Sequence, residues 1–144
     1  MKPIVIELTG EPEGVGRPRF VRKTGIAFTP ATTRKYQAAL RFAAQTAMNG
    51  QAPLDIPVTV RVIALFPVPA SWSKRKRSLA IDGLVCATCK PDCDNILKNL
   101  DALNQVVFVD DKQVVAAMIH KRYSDRPALR IEVTPVENFG TTTA

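Results

Sequence analysis

Residues 56–69 read IPVTVRVIALFPVP. Val58, Val60 and Val62 recur with the two-residue period that sends alternate side chains to opposite faces, which predicts a strand. Pro67 and Pro69 end it, because proline has no N–H to give a ladder. A strand needs a sheet, and other segments supply partners. Pro3 to Leu8 predicts an opening strand and VVFV, residues 106–109, a short buried one. QVVAAMIHKRY and ALRIEVT predict two more, with Ser124 to Pro127 as the turn that makes them a terminal hairpin.

Helical signals lie between these strands. TPATTRKYQAALRFAAQTAMNG offers Thr29 as a cap, Pro30 in the first turn and Asn49-Gly50 as the end. Its apolar stripe is Tyr36, Leu40, Ala43, Ala44 and Ala47, with Arg34, Lys35 and Arg41 on solvated faces. SWSKRKRSLAIDG can start a short helix at Ser71 or Ser73, and Asp94 to Leu103 predicts a third helix ended by Asn104. The expected architecture is α/β: a single small domain over 1–144, a mixed β-sheet packed with two or three helices. The tail from Asn138 onward, NFGTTTA, is expected to fray. No internal repeat or linker divides the chain.

At 144 residues and 46% hydrophobic, the chain can bury one core and is not of disordered composition. No apolar run approaches the roughly 18 residues of a membrane span, and MKPIVIELTG lacks the apolar core of a secretion signal. Both point to the cytoplasm. Three cysteines, an odd number, suit reduced thiols better than a disulfide framework.

The net charge of +7 is unevenly spread. Residues 1–50 carry +5, residues 51–90 carry +4 and residues 91–144 carry −2. Five acids fall between Asp92 and Asp111, with Lys98 alone to balance them in that window. A basic body with one acidic pocket fits a phosphate-rich partner on the body and a cation in the pocket, although a soluble basic protein with clustered acids has the same composition. In the glycine- and proline-rich loop of residues 9–25, Arg17, Arg19, Arg22 and Lys23 surround Phe20. That mixture suits phosphate contact with an aromatic to stack, or a solvated loop with Phe20 in the core. Gly14 and Gly16 are spaced like part of a phosphate-binding loop, but no G-K-[ST] follows, which argues against a nucleotide fold. Lys74, Arg75, Lys76 and Arg77 form the densest basic run and are expected to meet a curved phosphate backbone from several sides of a helix.

The acidic segment begins KPDCDNILK. On an extended backbone, residues two apart point the same way, so Asp92 and Asp94 are expected to converge on one ion. Asp94 or Asn95 can then begin the helix. Lys98, four residues beyond Asp94, shares its helix face and can reach back, and Asp101 follows on the same stripe. VFVDDKQ sets Asp110 and Asp111 at the end of the predicted VVFV strand. Carboxylate oxygens suit Mg²⁺, which keeps several waters and takes substrate phosphate oxygens. Beside a bound polyanion, the joint reading is metal-assisted phosphodiester hydrolysis. Caps and turns alone would also account for aspartates at these places.

The run KPDCDNILKNLDALNQVVFVDDKQV resembles the RusA family of Holliday junction resolvases, whose pattern is K-P-D-x-D-N, a lysine four after the second aspartate, L-D-A-L-N and then D-D-x-Q. GRPRF, SWSKRKR and HKRY also look like phage and prophage members. Between D-N and L-D-A-L this chain is one residue shorter than the usual pattern, which bears on where Asp101 sits. The resemblance implies an endodeoxyribonuclease that resolves branched DNA by symmetric paired nicks, in recombination and repair, inside a bacterial cell. It implies that Asp92, Asp94 and Asp111 bind Mg²⁺, with Mn²⁺ substituting, and that Lys98 assists catalysis. It also implies a homodimer, whose two-fold symmetry suits a four-way junction. The DNA-binding set is expected to be Arg17, Arg19, Lys23, Lys74, Arg75, Lys76, Arg77 and Lys90.

Cys86 and Cys89 have zinc-ligand spacing, yet only Cys93 and His120 remain to complete four ligands. Cys93 lies between the two aspartates and is expected to point away from them, so incidental thiols are the simpler reading. His120 reads as a packed or surface residue. A non-catalytic module that grips branched DNA with the same basic residues is the alternative to the nuclease.

Overall fold

Strand β4 (Val58–Phe66) has the expected alternation: Val58, Val60, Val62, Ala64 and Phe66 are buried, while Thr59, Arg61, Ile63 and Leu65 face the other way. The computed structural model describes residues 2–16, 19–28 and 30–137, with the backbone alone at 19–21 and 28. The expected fray at 138–144 and the Thr29 cap lie outside the described residues.

Strands β1 (Ile4–Thr9), β6 (Ala128–Pro135), β4 and β5 (Val114–Tyr123) form one sheet in the order β1-β6-β4-β5. β4 runs parallel to β5, and the other pairs are antiparallel, so the sheet is mixed as expected. The expected terminal hairpin does not form. β5 and β6 flank β4, and residues 124–127 cross its end, where the Ser124 N–H donates to the Phe66 carbonyl at 2.8 Å. β4 is the most regularly alternating segment and takes neighbours on both sides, leaving β5 at the edge.

Helix α1 (Ala31–Met48) covers one face of the sheet. It buries Tyr36, Leu40, Ala44 and Met48 in the same cluster as Ile6, Val60, Val62, Ile131 and Val133. Ala43 and Ala47 are only half-buried, and Met48 completes the stripe in their place. Asn49 ends the helix in the left-handed region, φ 48°, with its N–H on the Gln45 carbonyl at 3.2 Å.

Two other expectations change. Part of the predicted loop is a small hairpin of β2 (Arg19–Val21) and β3 (Ile26–Phe28), turned at Gly25 with φ +67°. Three-residue strands are too short to show alternation. VVFV is not a strand. It is a turn in which Val107 and Phe108 are buried, Val109 is 37% exposed and Phe108 makes single bridges to Leu54 and Asn104. Gln105, at φ 66°, reverses the chain before a ladder can extend. Helices α2 (Lys74–Ile81) and α3 (Cys93–Leu97) complete the fold, with α3 passing into a 3-10 segment, Lys98–Leu103, that ends at Asn104. Among the described residues, no helix is long and apolar enough to cross a membrane.

Leu40 links α1 to the sheet and has no exposed surface. Leu40→Ala is expected to lower unfolding free energy by about 3 kcal/mol in urea denaturation. A loss below about 1 kcal/mol would mean that this face is not packed as described.

Candidate functional site

The acidic segment starts with a helix cap. Asp92 is extended, φ −73° and ψ 165°, and its Oδ1 accepts from the Asn95 N–H at 2.8 Å. That bond satisfies a first-turn amide and starts α3 one residue later. The expected D-x-D alternation on extended backbone therefore does not occur: Asp92 is the cap, and Asp94 lies in the first helical turn, where its negative charge suits the helix N-terminus. Neither Asp94 nor Asn95 begins the helix. The Lys90–Pro91 peptide is cis.

Lys98 reaches back as expected. Its Nζ lies 3.5 Å from Asp94 Oδ2 and donates to Asn95 Oδ1 at 3.3 Å. The Asp94 side chain is 81% exposed, so this pair contributes only about 0.3–0.5 kcal/mol. Its value is in holding an ammonium beside a carboxylate that is open to solvent.

Asp101 leaves the α3 stripe because the helix tightens to 3-10 geometry at Lys98. It accepts instead from Gln37 Nε2 of α1 at 2.9 Å. Buried Asn99 donates to the Glu13 carbonyl at 2.8 Å, and Arg41 Nε donates to the Ala102 carbonyl at 3.2 Å. Arg41, expected on a solvated face, thus tethers the segment. Gln37 and Asn99 were not singled out by the sequence, since neither stands in a charged or aromatic pattern.

Asp110 and Asp111 sit at a short 3-10 turn, Asp111–Gln113, that leads into β5. Asp110 closes a capping box: it accepts from the Lys112 N–H, while Gln113 Oε1 accepts from the Asp110 N–H at 2.9 Å. Gln113 also donates to the Leu54 and Ile56 carbonyls, both at 2.8 Å. The two neighbouring carboxyls differ in acidity. The Lys112 amide, and then the bond to Asp111, hold Asp110 below the usual carboxylate range. Partial loss of water pushes Asp111 up, aided by the bond to Asp110 and the charges of Asp110 and Asp101.

The residues at 98–103 pack against both α3 and the turn that holds Asp111. This is the structural link between the two acidic groups. Carboxylate oxygens are the hard donors that a Mg²⁺ ion would take. Among the described residues, however, no three His, Cys, Asp or Glu side chains already converge on one point.

Gly14 explains a spacing that resembled a phosphate loop. A Cβ there would meet Pro91 Cβ at 2.8 Å and Asn95 Cβ at 3.0 Å. The Val15 N–H donates to the Asn95 carbonyl at 3.1 Å, and the Gly16 N–H to Thr33 Oγ1 at 2.9 Å. The glycines allow residues 13–16 to lie between the acidic segment and α1.

On the basic side, Ser73 caps α2 by accepting from the Lys76 N–H at 3.2 Å, as expected. Lys74, Arg75 and Lys76 are exposed and Arg77 is half-buried. Lys76 Nζ stands 3.8 Å from the centre of the Trp72 ring, which packs edge-on against Tyr123 at 5.2 Å. Lys23 and Lys90 are exposed. Arg17 lies outside the described residues, and only the backbone of Arg19 and Phe20 is described, in β2. Cys86 and Cys93 are exposed free thiols, Cys89 is half-buried, and His120 is exposed on β5.

The family model described as endodeoxyribonuclease RusA matches residues 9–134. The chain is also 33% identical over 144 residues to the uncharacterized protein YqaN of Bacillus subtilis (strain 168), across 94% of this chain and 99% of that protein.

Two outcomes follow from this geometry. Gly14→Ala is expected to destabilise the protein by about 1–3 kcal/mol in thermal unfolding, because its methyl has no room against Pro91. An unchanged midpoint would contradict the close approach. In the metal-free protein, carboxyl ¹³C NMR should show Asp110 losing its proton at lower pH than Asp111. The lowered Asp110 pKa adds stability above the unfolded-state carboxyl value, and that stability is lost as acid protonates the group. The raised Asp111 pKa acts oppositely, removing stability as pH rises. Coincident midpoints would contradict these opposed shifts.

Proposed function

Because the chain belongs to the RusA endodeoxyribonuclease family, we propose that it is a divalent-metal-dependent nuclease that resolves four-way DNA junctions by symmetric paired nicks. The observation that carries the reading is the extent of the family match, residues 9–134, which takes in the basic helix and both acidic groups. A bacterial cytoplasm, with host, phage or prophage DNA undergoing recombination and repair, would be the setting for this activity. A homodimer would present two equal sites to the two-fold junction.

In this reading Lys74, Arg75, Lys76 and Arg77 contact backbone phosphates, with Lys23, Lys90 and the Arg17 and Arg19 segment extending the track. Asp92, Asp94 and Asp111 would hold Mg²⁺ or Mn²⁺, which supplies an activated water and charge neutralisation at the phosphate. Asp94 is open to solvent, so it is available to a cation and to a phosphate together. Lys98, 3.5 Å from Asp94, places a positive charge where the scissile phosphate gains negative charge. Asp101 and Asp110, held by Gln37 and the capping box, act as supports.

The test is a synthetic four-way junction incubated with Mg²⁺. Wild type should give paired nicks, and Asp94→Asn should lose more than roughly a hundredfold in rate, since even outer-shell metal partners typically cost 10–100-fold. Junction binding without metal should persist in that variant. Binding without cleavage under any divalent cation would instead favour the non-catalytic DNA-binding module.

A further inference from the structure

Lys121 occupies a position where a lysine is unexpected. In the β4–β5 register it pairs with Ala64, and Tyr123 pairs with Phe66, both on the core face of the sheet. Charged side chains rarely face a core unless they are partnered. The Lys121 stem is half-buried, and its Nζ lies 5.5 Å from the centre of the Phe66 ring. The ammonium donates to the main-chain carbonyl of Cys89. Cys89 directly precedes Lys90-Pro91-Asp92, the start of the acidic segment.

The same strand approaches Cys89 a second time. Tyr123 is 7% exposed, and the Cys89 thiol adds to burial in raising the pKa of its hydroxyl. The other edge of this cluster is Trp72, which precedes the Ser73 cap of α2. The chain between Cys89 and Asp92 is thereby fixed at both ends, by Lys121 at the Cys89 carbonyl and by the Asn95 N–H at Asp92 Oδ1. Pro91 lies between those points, with Gly14 packed against it.

We propose that Lys121 is a positioning residue for cation binding: its hydrogen bond to the Cys89 carbonyl sets where the Asp92 and Asp94 carboxylates stand. The inference rests on the metal-dependent reading above. Its sign separates it from plain electrostatics. A positive charge near acidic ligands repels a cation, so if Lys121 acted only through its charge, neutralising it would tighten metal binding. A positioning role requires the reverse.

Lys121→Met keeps the stem and removes the donor, and Lys121→Arg keeps a cationic donor. Mn²⁺ binding is read directly from loss of the free-ion EPR signal, without DNA. Lys121→Met is expected to raise the half-saturating Mn²⁺ concentration about tenfold, in the range typical of outer-shell partners. Lys121→Arg should recover most of that loss. Junction affinity without metal should stay within about twofold, and cleavage by Lys121→Met should return towards wild type at saturating Mn²⁺. Unchanged or tighter Mn²⁺ binding by Lys121→Met, in a wild-type background that binds Mn²⁺ and cleaves, overturns the positioning role alone. Wild type that binds no Mn²⁺ overturns the metal-dependent reading and this inference with it. Should Lys121→Met fail to fold, Lys121→Gln removes the charge and shortens the reach to the Cys89 carbonyl while staying polar. It is then expected to weaken Mn²⁺ binding about threefold, and no change would overturn the proposal.

Discussion

Parallel pairing between β4 and β5 dictates where the functional residues must be. β4 ends at Phe66, while β5 has to begin beside Val58, at the opposite end of the same strand. Two parallel strands cannot be joined by a tight turn, so the chain has to travel back along the sheet before β5 can start. That return path carries the basic helix α2, the Asp92 cap, α3, the 3-10 segment and the Asp110-Asp111 turn. Every aspartate in the candidate site belongs to one connection, and the sheet sets where it leaves and rejoins.

A connection of that length needs anchors, and most of them are uncharged. Asn99, Gln113 and the main chain at residues 13–16 supply hydrogen bonds that do not depend on salt or on the protonation of the acids. Such bonds contribute about 1 kcal/mol each, and leaving a buried partner unpaired costs more. Neutral anchors hold like-charged carboxylates near one another without cancelling their charge. Ion pairs in their place would have neutralised the groups that a cation needs.

The fold was legible where one physical pattern dominated. Alternation at Val58, Val60 and Val62 identified β4, and the Ser73 cap with its basic run identified α2. The family motif marked Asp92, Asp94, Lys98 and Asp111, and the Asp94–Lys98 approach agreed with simple helix spacing. Illegible features depended on contacts between distant segments. The hydrophobicity of VVFV marked its burial but not its shape, which follows from the left-handed turn at Gln105 and the meeting with Leu54. Whether β5 pairs with β6 or with β4 is a tertiary choice, since both answers leave each strand's own pattern unchanged. Asp92 also shows a local ambiguity: the sequence offered Asp94 or Asn95 as the helix start, and the amide of Asn95, bonded to Asp92 Oδ1, makes Asp92 the cap. The roles of Gly14 and Lys121 are invisible without the surfaces of Pro91 and Cys89.

The position of β5 at the sheet margin affects how this molecule behaves at high concentration. Among the described residues, only one side of the strand is paired, by β4. Its first six residues, VVAAMI, have no charge, and Val115 and Met118 are 63% and 64% exposed. Lysine and arginine, which blunt such margins in other proteins, arrive only at Lys121 and Arg122, and Lys121 is turned inward. Among the described residues, Val114–Ile119 thus present an unblunted margin, the kind on which another chain adds as a further strand.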